Sequence, residues 1–246
     1  MRKKECEQMI RIQRSIAETG GNTDNIVNLV ALSRGKSNKK YALMEYGGDD
    51  LEYSSLHNGP FSGDKLKSTF FQAANGINTL FKAGYQHHDI KPENILINDK
   101  GVVKICDFGF ATKIDETEPM VRSGSPGYMS PEKLYGLTDY PKDKADSWAL
   151  GCTFAEICLG DDTVIMPVTR DMYLDHKMPY QDAVDILKKA RKKAYRKLRK
   201  IEGEQAADFF WALTEPDPDK RLSPSEALEH PYFDDIHTSY KLTGLV

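Results

Sequence analysis

The sequence has little cysteine and no long apolar run. Its four cysteines, among 246 residues, have neither the spacing of zinc ligands nor the density of a disulfide scaffold. This usage indicates a cytoplasmic, reducing compartment. No apolar run reaches the length that spans a membrane. The first residues, Met1 to Glu5, are mostly charged and precede no apolar segment, so the sequence predicts no secretory signal.

The chain also lacks an excess of charge of either sign. Its 34 Lys and Arg residues nearly balance 37 Asp and Glu residues, which gives a formal net charge of -3. The whole molecule is therefore not an obvious binder of nucleic acid or membrane surfaces, and any such role must be local.

One segment, residues 188–200, is dense in Lys and Arg. Its aliphatic residues are too few for a membrane-inserting face. Two interpretations remain open. The segment is either a solvated helix face or a docking surface for an acidic partner, an anionic lipid or nucleic acid.

Periodicity predicts two helices in the first third of the chain. Apolar residues recur at spacings of three and four over residues 1–18 and 64–83, and Gly84 is placed to end the second helix. Between them, two apolar runs with strand character cover residues 26–32 and 41–46. A chain of this length can form one large domain or two small lobes.

The most informative stretch is a predicted hairpin. Residues 95–97 form an apolar strand, residues 98–101 supply a turn that ends in glycine, and residues 102–106 return antiparallel. Asn94 and Asp107 therefore leave the hairpin at the same open end. An amide oxygen and a carboxylate are ligands of the kind that Mg²⁺ prefers, with phosphate oxygens and water completing its coordination.

The residues around this hairpin resemble the motifs of the eukaryotic-type protein kinases. Residues 87–94 are similar to the family's catalytic loop, HRDxKxxN, and Asp107-Phe108-Gly109 is similar to its DFG motif. The resemblance implies that Asp89 orients the substrate hydroxyl and accepts its proton, while Lys91 balances charge on the transferring γ-phosphoryl group. It also implies ATP and Mg²⁺ as cofactors, with Asn94 and the aspartate of the DFG motif as the metal ligands.

Two histidines lie at the start of the catalytic loop. His87 is expected to stack against Phe108, as in the family. His88 replaces an arginine that in the family grips a phosphate on the activation segment with a permanent charge. Histidine, with a reference pKa of about 6.5, does not reproduce that grip. We therefore expect that phosphorylation of Ser123 or Ser125 is not the activating switch.

Later segments extend the resemblance over most of the chain, from about Ile26 to Phe233. Residues 124–132 are similar to the GTxxYxAPE end of the kinase activation segment, residues 146–151 to the DxWxxG motif, and residues 217–233 to the end of the large lobe. By resemblance, Ser125 bonds the catalytic Asp and Lys, Asp146 braces the catalytic loop, and Arg221 pairs with Glu132. The matches at Ser125 and Lys91 favour Ser or Thr over Tyr as the acceptor.

The resemblance implies an α+β, protein-kinase-like fold. Residues 1–46 would form a reduced N-terminal lobe with an αC-like helix, two strands and the hinge, and residues 47–246 would form a mostly helical C-terminal lobe. Backbone groups of Glu45 and Gly47 would bind the adenine edge, and Leu96 would lie below the adenine.

The sequence departs from the family pattern in its first lobe. The three strands that carry a glycine-rich loop and a phosphate-binding lysine are not matched. Glu5, with Glu7 behind it, is the best-placed candidate for the αC glutamate. We therefore expect weak nucleotide affinity for the isolated chain, and a partner or substrate that covers the open nucleotide site.

The leading interpretation is a protein serine/threonine kinase that transfers the ATP γ-phosphoryl group to a protein. Two alternatives stay open. The chain is a weak or inactive pseudokinase that acts as a binding scaffold, or it is a fragment or mis-started gene model whose upstream sequence carries the missing strands.

Overall fold

The computed structural model of the protein describes residues 3–34, 40–59, 61–115, 124–160, 167 and 178–236. Within these ranges the helices are α1 (Lys3–Glu18), α2 (Leu51–Asn58), α3 (Gly63–Lys82), α4 (Pro131–Leu134), α5 (Lys144–Leu159), α6 (Tyr180–Glu202), α7 (Glu204–Leu213) and α8 (Pro224–Leu228). The strands are β1 (Leu29–Arg34), β2 (Lys40–Met44), β3 (Asp49–Asp50), β4 (Tyr85–Gln86), β5 (Ile95–Ile97), β6 (Val103–Ile105) and β7 (Thr112–Lys113). They form small antiparallel sheets with the orders β1-β2, β3-β5-β6 and β4-β7.

Helix α1 is the amphipathic helix predicted over residues 1–18. Its apolar side chains Met9, Ile12 and Ile16 are buried and join the central core. The chain leaves the helix at Thr19, whose hydroxyl donates to carbonyl oxygens of the last turn at 3.0 and 3.2 Å. Gly20 follows with a φ of 71° that suits glycine.

Helix α3 leads the chain towards the predicted catalytic loop. It carries the predicted buried stripe, with Leu66, Phe70 and Ile77 among its members. Because that stripe packs on α5, the rings of Phe70 and Phe154 meet edge to face with centroids 4.9 Å apart. Gly84 ends the helix as predicted, with a φ of 82°.

The first strand begins later than the predicted start at Ile26. The N–H of Val27 donates to Ile105 O, and the N–H of Ile105 donates to Asn25 O, both at 2.9 Å. Ile26 therefore forms an isolated parallel bridge to β6 and is buried there. The chain pairs with β2 only after it leaves this bridge, so β1 starts at Leu29.

The β1-β2 ribbon exposes apolar side chains. Val30, Leu32, Leu43 and Met44 are 43–61% exposed, and Tyr46 beyond β2 is 80% exposed. A two-stranded ribbon is marginally stable in water by itself. The ribbon therefore offers apolar area and open strand edges to a further segment or partner.

The predicted hairpin is present as β5 and β6, with Ile95 opposite Ile105. In its turn, the Asn98 side chain accepts hydrogen bonds from two backbone N–H groups, and Gly101 has a φ of 75°. The short strand β3 pairs with the outer edge of β5. The sequence did not predict this third strand.

Helix α5 is the buried centre of the second half of the described chain. Trp148 and Phe154 on it are fully buried. Gly151 lets α7 approach closely, since a Cβ at this position would lie 2.6 Å from Thr214 Cγ2 and 2.9 Å from Leu213 Cβ.

One hydrophobic cluster joins α1, α3, the β5-β6 hairpin, α5 and α7. The lobe boundary between residues 46 and 47 stays a prediction. The four cysteines are free thiols. Among the described residues, no helix has the length and apolar character needed to cross a membrane.

Candidate active site

The predicted catalytic loop is attached to the start of α5 through Asp146. This carboxylate is 5% exposed and accepts hydrogen bonds from the N–H of His87 at 2.7 Å and the N–H of His88 at 2.9 Å. The two bonds fix consecutive peptide groups just ahead of Asp89. His88 has a φ of 69°, a left-handed conformation that is uncommon for a residue with a side chain.

Asp89 is buried and has a defined orientation. Its Oδ2 accepts from Asn94 Nδ2 at 3.0 Å, and its Oδ1 accepts from the N–H of Ser125 at 2.8 Å. Asn94 Nδ2 also donates to Asp89 O at 2.7 Å. Ser125 thus reaches the aspartate with its backbone N–H, where the resemblance implied only that the residue bonds it.

Lys91 forms an ion pair with Glu93, at 3.2 Å between Nζ and Oε1. Partial burial alone would lower the pKa of Lys91, but the hydrogen bond with Glu93 and the charges of Asp89 and Asp107 raise it overall. The ammonium therefore stays protonated beside both aspartates. The Lys91 ammonium therefore provides a positive charge for an anion that binds near the two aspartates.

Asn94 and Asp107 lie together at the open end of the hairpin. The N–H of Cys106 donates to Asn94 O at 3.0 Å, which extends the pairing of β5 and β6 up to the two predicted metal ligands. Asp107 is exposed, has a φ of 58°, and accepts a hydrogen bond from the N–H of Gly109 at 3.2 Å. Because Asn94 turns its Nδ2 to Asp89, its Oδ1 is the atom left to act as a ligand.

This donor set fits Mg²⁺. It offers an amide oxygen and a carboxylate oxygen, and Mg²⁺ usually binds one or two protein oxygens and keeps water and phosphate oxygens for its other positions. Among the described residues, no three His, Cys, Asp or Glu side chains converge into a metal site made of protein alone. Asn94 and Asp107 would therefore hold the ion together with a phosphate ligand.

His87 joins the catalytic loop to the DFG-like segment. Its Nε2 donates to Cys106 O at 2.8 Å, and its Nδ1 accepts from the N–H of Asp89 at 3.2 Å. Its ring meets the buried ring of Phe108 edge to face, with centroids 5.3 Å apart. The histidine is fully buried, and these contacts give it a structural place beneath the site.

The residues predicted to bind adenine form a small platform. Gly47 is buried against Leu96, and a Cβ on Gly47 would lie 2.6 Å from Leu96 Cδ1. Glu45 is held by Lys104 at 3.0 Å and by the N–H of Asn28 at 2.7 Å. Burial alone would raise the pKa of Glu45, but the bonds with Lys104 and Asn28 lower it overall. The Glu45 carboxylate is thus occupied in joining β2 to β6.

Helix α1 contacts the site at its edge. Gln8 Nε2 donates to Ala111 O, two residues after Gly109, at 3.0 Å. The side chain of Glu5 lies outside the described residues, and that of Glu7 is exposed. The choice of an αC glutamate stays a prediction.

His88 occupies the position of the family's arginine without carrying its charge. Burial lowers the pKa of His88 to about 3, and the positive charge of Lys133 acts in the same direction. Its Nε2 lies 2.8 Å from Thr112 Oγ1 on β7. An uncharged ring that is hydrogen-bonded to Thr112 offers no charge to a phosphate. This agrees with the expectation that phosphorylation of the activation segment is not the activating switch. Ser123 itself lies outside the described residues.

Arg221 and Glu132 form a buried two-pronged ion pair. The guanidinium donates to the two carboxylate oxygens at 2.6 and 2.9 Å, and the side chains are 0% and 1% exposed. Arg221 also donates to Lys144 O and Glu215 O. The pair therefore joins the end of the activation segment to α5 and to the segment after α7.

Sequence reasoning missed two residues at this site. Lys133, next to Glu132, is 6% exposed and donates to His88 O at 3.0 Å. Thr112 holds the His88 ring. The sequence does not single out Lys133, because the burial of segment 130–134 is visible only in the structure. Nothing in the sequence singles out Thr112.

Comparison with known proteins identifies the family to which this chain belongs. The family model for the protein kinase domain matches residues 1–233. The chain belongs to the protein kinase family. This confirms the family that the motifs around the hairpin indicated.

Relatives of this protein kinase chain include serine/threonine kinases. It is 31% identical to the probable cyclin-dependent kinase 8 of Dictyostelium discoideum, over 87% of this chain and 66% of that protein. It is also 31% identical to the serine/threonine-protein kinase NLK2 of Xenopus laevis, over 81% of this chain and 49% of that protein. The chain thus spans about half to two thirds of the length of these curated relatives.

The fold of this protein kinase chain also resembles a solved structure. A chain in the crystal structure of the yeast RNA Pol II CTD kinase CTDK-1 complex matches with a TM-score of 0.70, over 91% of this chain and 81% of that chain. At 22% identity this likeness concerns the fold alone. It confirms a kinase-like fold with small antiparallel sheets in the N-terminal lobe and a mostly helical C-terminal lobe.

Proposed function

We propose that the protein transfers the γ-phosphoryl group of ATP to a serine or threonine of a protein substrate, with Mg²⁺. The observation that carries this proposal is the orientation of Asp89. Its two carboxylate oxygens are held by Ser125 and Asn94, next to the Asn94–Asp107 pair. A positioned aspartate beside a magnesium ligand set is what phosphoryl transfer to a hydroxyl requires.

The chain's own residues would divide the work as follows. Asp89 would orient the acceptor hydroxyl and accept its proton, and Lys91 would balance charge on the transferred group. Asn94 and Asp107 would hold Mg²⁺, which neutralises phosphate charge when it is bound. Asp146 and His87 would keep the catalytic loop in place, so most of the rate gain would come from positioning and electrostatics.

We also propose that nucleotide binding depends on a partner or substrate that covers the adenine platform. The adenine platform consists of Gly47 packed against Leu96. The β1-β2 ribbon, which precedes it in the chain, exposes Val30, Leu32 and Leu43. A segment that paired with this ribbon would bury that apolar area and close the site from above. The nucleotide affinity of the isolated chain is then expected to be weak.

The proposed function is tested by transfer of labelled γ-phosphate from Mg-ATP to a mixed protein substrate pool. We expect label on protein serine or threonine, and loss of that label when a chelator removes Mg²⁺. The assay is run with and without a cell extract treated to inactivate its own kinases, since a partner could complete the site. Absence of label under both conditions would favour the alternative of a pseudokinase scaffold.

The basic segment 188–200 lies on α6 and is proposed as a docking surface for an acidic protein segment. Seven of its Lys and Arg side chains are exposed, namely Lys188, Lys189, Lys192, Lys193, Arg196, Arg199 and Lys200. Leu187, Arg191, Ala194 and Leu198 form the buried face instead. The exposed charges therefore cover the outer side of the helix, while the rest of the chain carries net negative charge.

Replacing Lys189, Lys192, Lys193 and Arg196 by Gln should weaken binding of a polyglutamate peptide about tenfold and reduce its salt dependence. The control replaces four exposed lysines elsewhere, Lys65, Lys82, Lys100 and Lys220, and so changes the net charge equally. Equal losses in the two variants would show a general charge effect. If an RNA oligonucleotide or phosphatidylserine vesicles bound more tightly than the polyglutamate peptide, the partner would be nucleic acid or anionic lipid and not an acidic protein segment.

A further inference from the structure

Lys133 is a buried cation beside the catalytic loop. It lies in the short helix α4, is 6% exposed, and donates its ammonium N–H to His88 O at 3.0 Å. The carboxylates of Asp146, Asp89 and Glu132 act on its charge. Glu132 is already paired with Arg221, so Asp146 and Asp89 provide the remaining attraction. Burial of a lysine is costly, and this one is directed to a single backbone carbonyl.

That carbonyl is where three segments meet. The N–H of His88 is held by Asp146, and its carbonyl by Lys133, so both ends of a left-handed residue are fixed. Gly124 of the activation segment approaches the same oxygen, since a Cβ at Gly124 would lie 2.2 Å from it. Ser125 follows Gly124 and Asp89 follows His88, and the N–H of Ser125 donates to the Asp89 carboxylate. A shift of the His88 carbonyl would therefore move both partners of that bond.

We propose that Lys133 is a positioning residue for Asp89. By holding the His88 carbonyl it keeps the left-handed turn that brings the Asp89 carboxylate to the Ser125 N–H. This inference rests on the proposed kinase function, because the aspartate acts there as the base. Lys133 would influence the rate of transfer through this geometry without touching ATP or the substrate.

The charge of Lys133 gives the proposal a pH signature. Burial lowers the pKa of Lys133 to about 8, against the attraction of Asp146, Asp89 and Glu132. His88 and Tyr128 line the same cavity as Lys133, and burial keeps both uncharged near neutral pH because it lowers the pKa of His88 and raises that of Tyr128. The ammonium is mostly charged at pH 7 and mostly neutral at pH 9. The rate of transfer should fall over this interval, because a neutral amine is a weaker donor to the His88 carbonyl than the ammonium is.

Stability should change in the opposite direction over the same alkaline interval. The pKa of Lys133 is lower in the folded chain than its ordinary value of 10.5, so the unfolded chain binds more protons between pH 8 and pH 10.5. This group therefore makes the fold more stable as the pH rises from 8 to 10.5, and the contribution is lost as the pH falls through 8. This change in stability follows from the lowered pKa alone, so only the fall in rate reports on the positioning role.

The test compares Lys133→Met, Lys133→Gln and wild type in the γ-phosphate transfer assay. We expect Lys133→Met to lower the initial rate at saturating Mg-ATP by about 10- to 100-fold, with the apparent KM for ATP within about twofold of wild type. Lys133→Gln keeps a donor for the carbonyl but carries no charge. It should retain more activity at pH 7 and show no fall in rate between pH 7 and pH 9.

Lys144→Met is the matched control. Lys144 is also largely buried and donates to a backbone carbonyl, Arg221 O, at 2.6 Å, but that carbonyl does not belong to the catalytic loop. Its variant should keep the wild-type rate and pH profile. Wild-type rates and an unchanged alkaline fall in Lys133→Gln would overturn the proposal. The Gln variant alone decides this point if the Met variant does not fold.

Exchange of the Ser125 amide hydrogen separates this proposal from the proposed function. If Lys133 positions Asp89, the Ser125 N–H should exchange with solvent at least about tenfold faster in Lys133→Met than in wild type, because its bond to Asp89 is weakened. This readout needs no catalysis. Wild-type protein without transferase activity would refute the kinase function, and unchanged exchange would refute the role of Lys133.

Discussion

Replacing Arg221 by Ala is expected to lower the free energy of unfolding by about 3 to 5 kcal/mol. Arg221 and Glu132 are fully buried, and their ion pair has two hydrogen bonds of 2.6 and 2.9 Å. The truncation leaves the Glu132 carboxylate buried without its cation and removes donors to Lys144 O and Glu215 O. Urea unfolding followed by circular dichroism measures the difference.

The neighbouring residue offers a control for the Arg221 prediction. Lys220 pairs with Asp217 at 2.8 Å, but the two side chains are 75% and 42% exposed, so Lys220→Ala should cost less than about 1 kcal/mol. The double variant Arg221→Met with Glu132→Met should recover part of the loss, because no buried charge is left unpaired. Equal small losses for Arg221→Ala and Lys220→Ala would show that the buried pair does not stabilise the fold.

The hairpin and the long helices could be predicted because their signals are local. Turn residues at 98–101 and the alternation on either side determine which residues of β5 and β6 face each other. The stripe on α3 identifies its buried face, and the apolar character of α5 on all sides identifies it as central. The open end of the hairpin follows from the same register, which is why Asn94 and Asp107 could be paired from sequence.

Features that depend on contacts between distant residues could not be predicted. Ile26 belongs to an apolar run with strand character, yet it bridges to Ile105 instead of joining β1. The contact of His88 with Thr112 and that of Lys133 with the catalytic loop depend on how separate segments pack, which no periodicity records. Ser125 was expected at Asp89 by resemblance, but only the structure shows that its backbone N–H makes the contact.

The contacts of His88 and Asp89 with later residues share one location. Thr112, Ser125 and Lys133 all come from the segment that follows the DFG-like motif, and each of them bonds His88 or Asp89. The catalytic loop is therefore held by a hydroxyl, a backbone N–H and a buried ammonium where the family pattern has an arginine. This arrangement would keep Asp89 in place without a phosphate on the activation segment.

Replacing Asp89 by Asn should reduce γ-phosphate transfer by about 10²- to 10⁴-fold, the range expected when a positioned base is lost. The structure adds a second reason. Both carboxylate oxygens of Asp89 accept hydrogen bonds, from the Ser125 N–H and from Asn94 Nδ2. The NH₂ group of an introduced Asn is itself a donor, so one of these two hydrogen bonds would be lost. Asp99 is exposed in the turn of the β5-β6 hairpin, at the opposite end from Asn94, and Asp99→Asn should leave transfer within about twofold of wild type.

Nucleotide binding distinguishes the base from the metal ligand. Asp89→Asn should bind Mg-ATP as well as wild type in isothermal titration with any required partner present, because Asp89 does not hold the ion in the proposed arrangement. Asp107→Asn should lose both Mg²⁺-dependent binding and transfer, since it removes the carboxylate from the pair at the open end of the hairpin. Transfer that survives in Asp89→Asn at the wild-type rate would exclude Asp89 as the base. Loss of transfer with unchanged Mg-ATP binding would place its role in the chemical step.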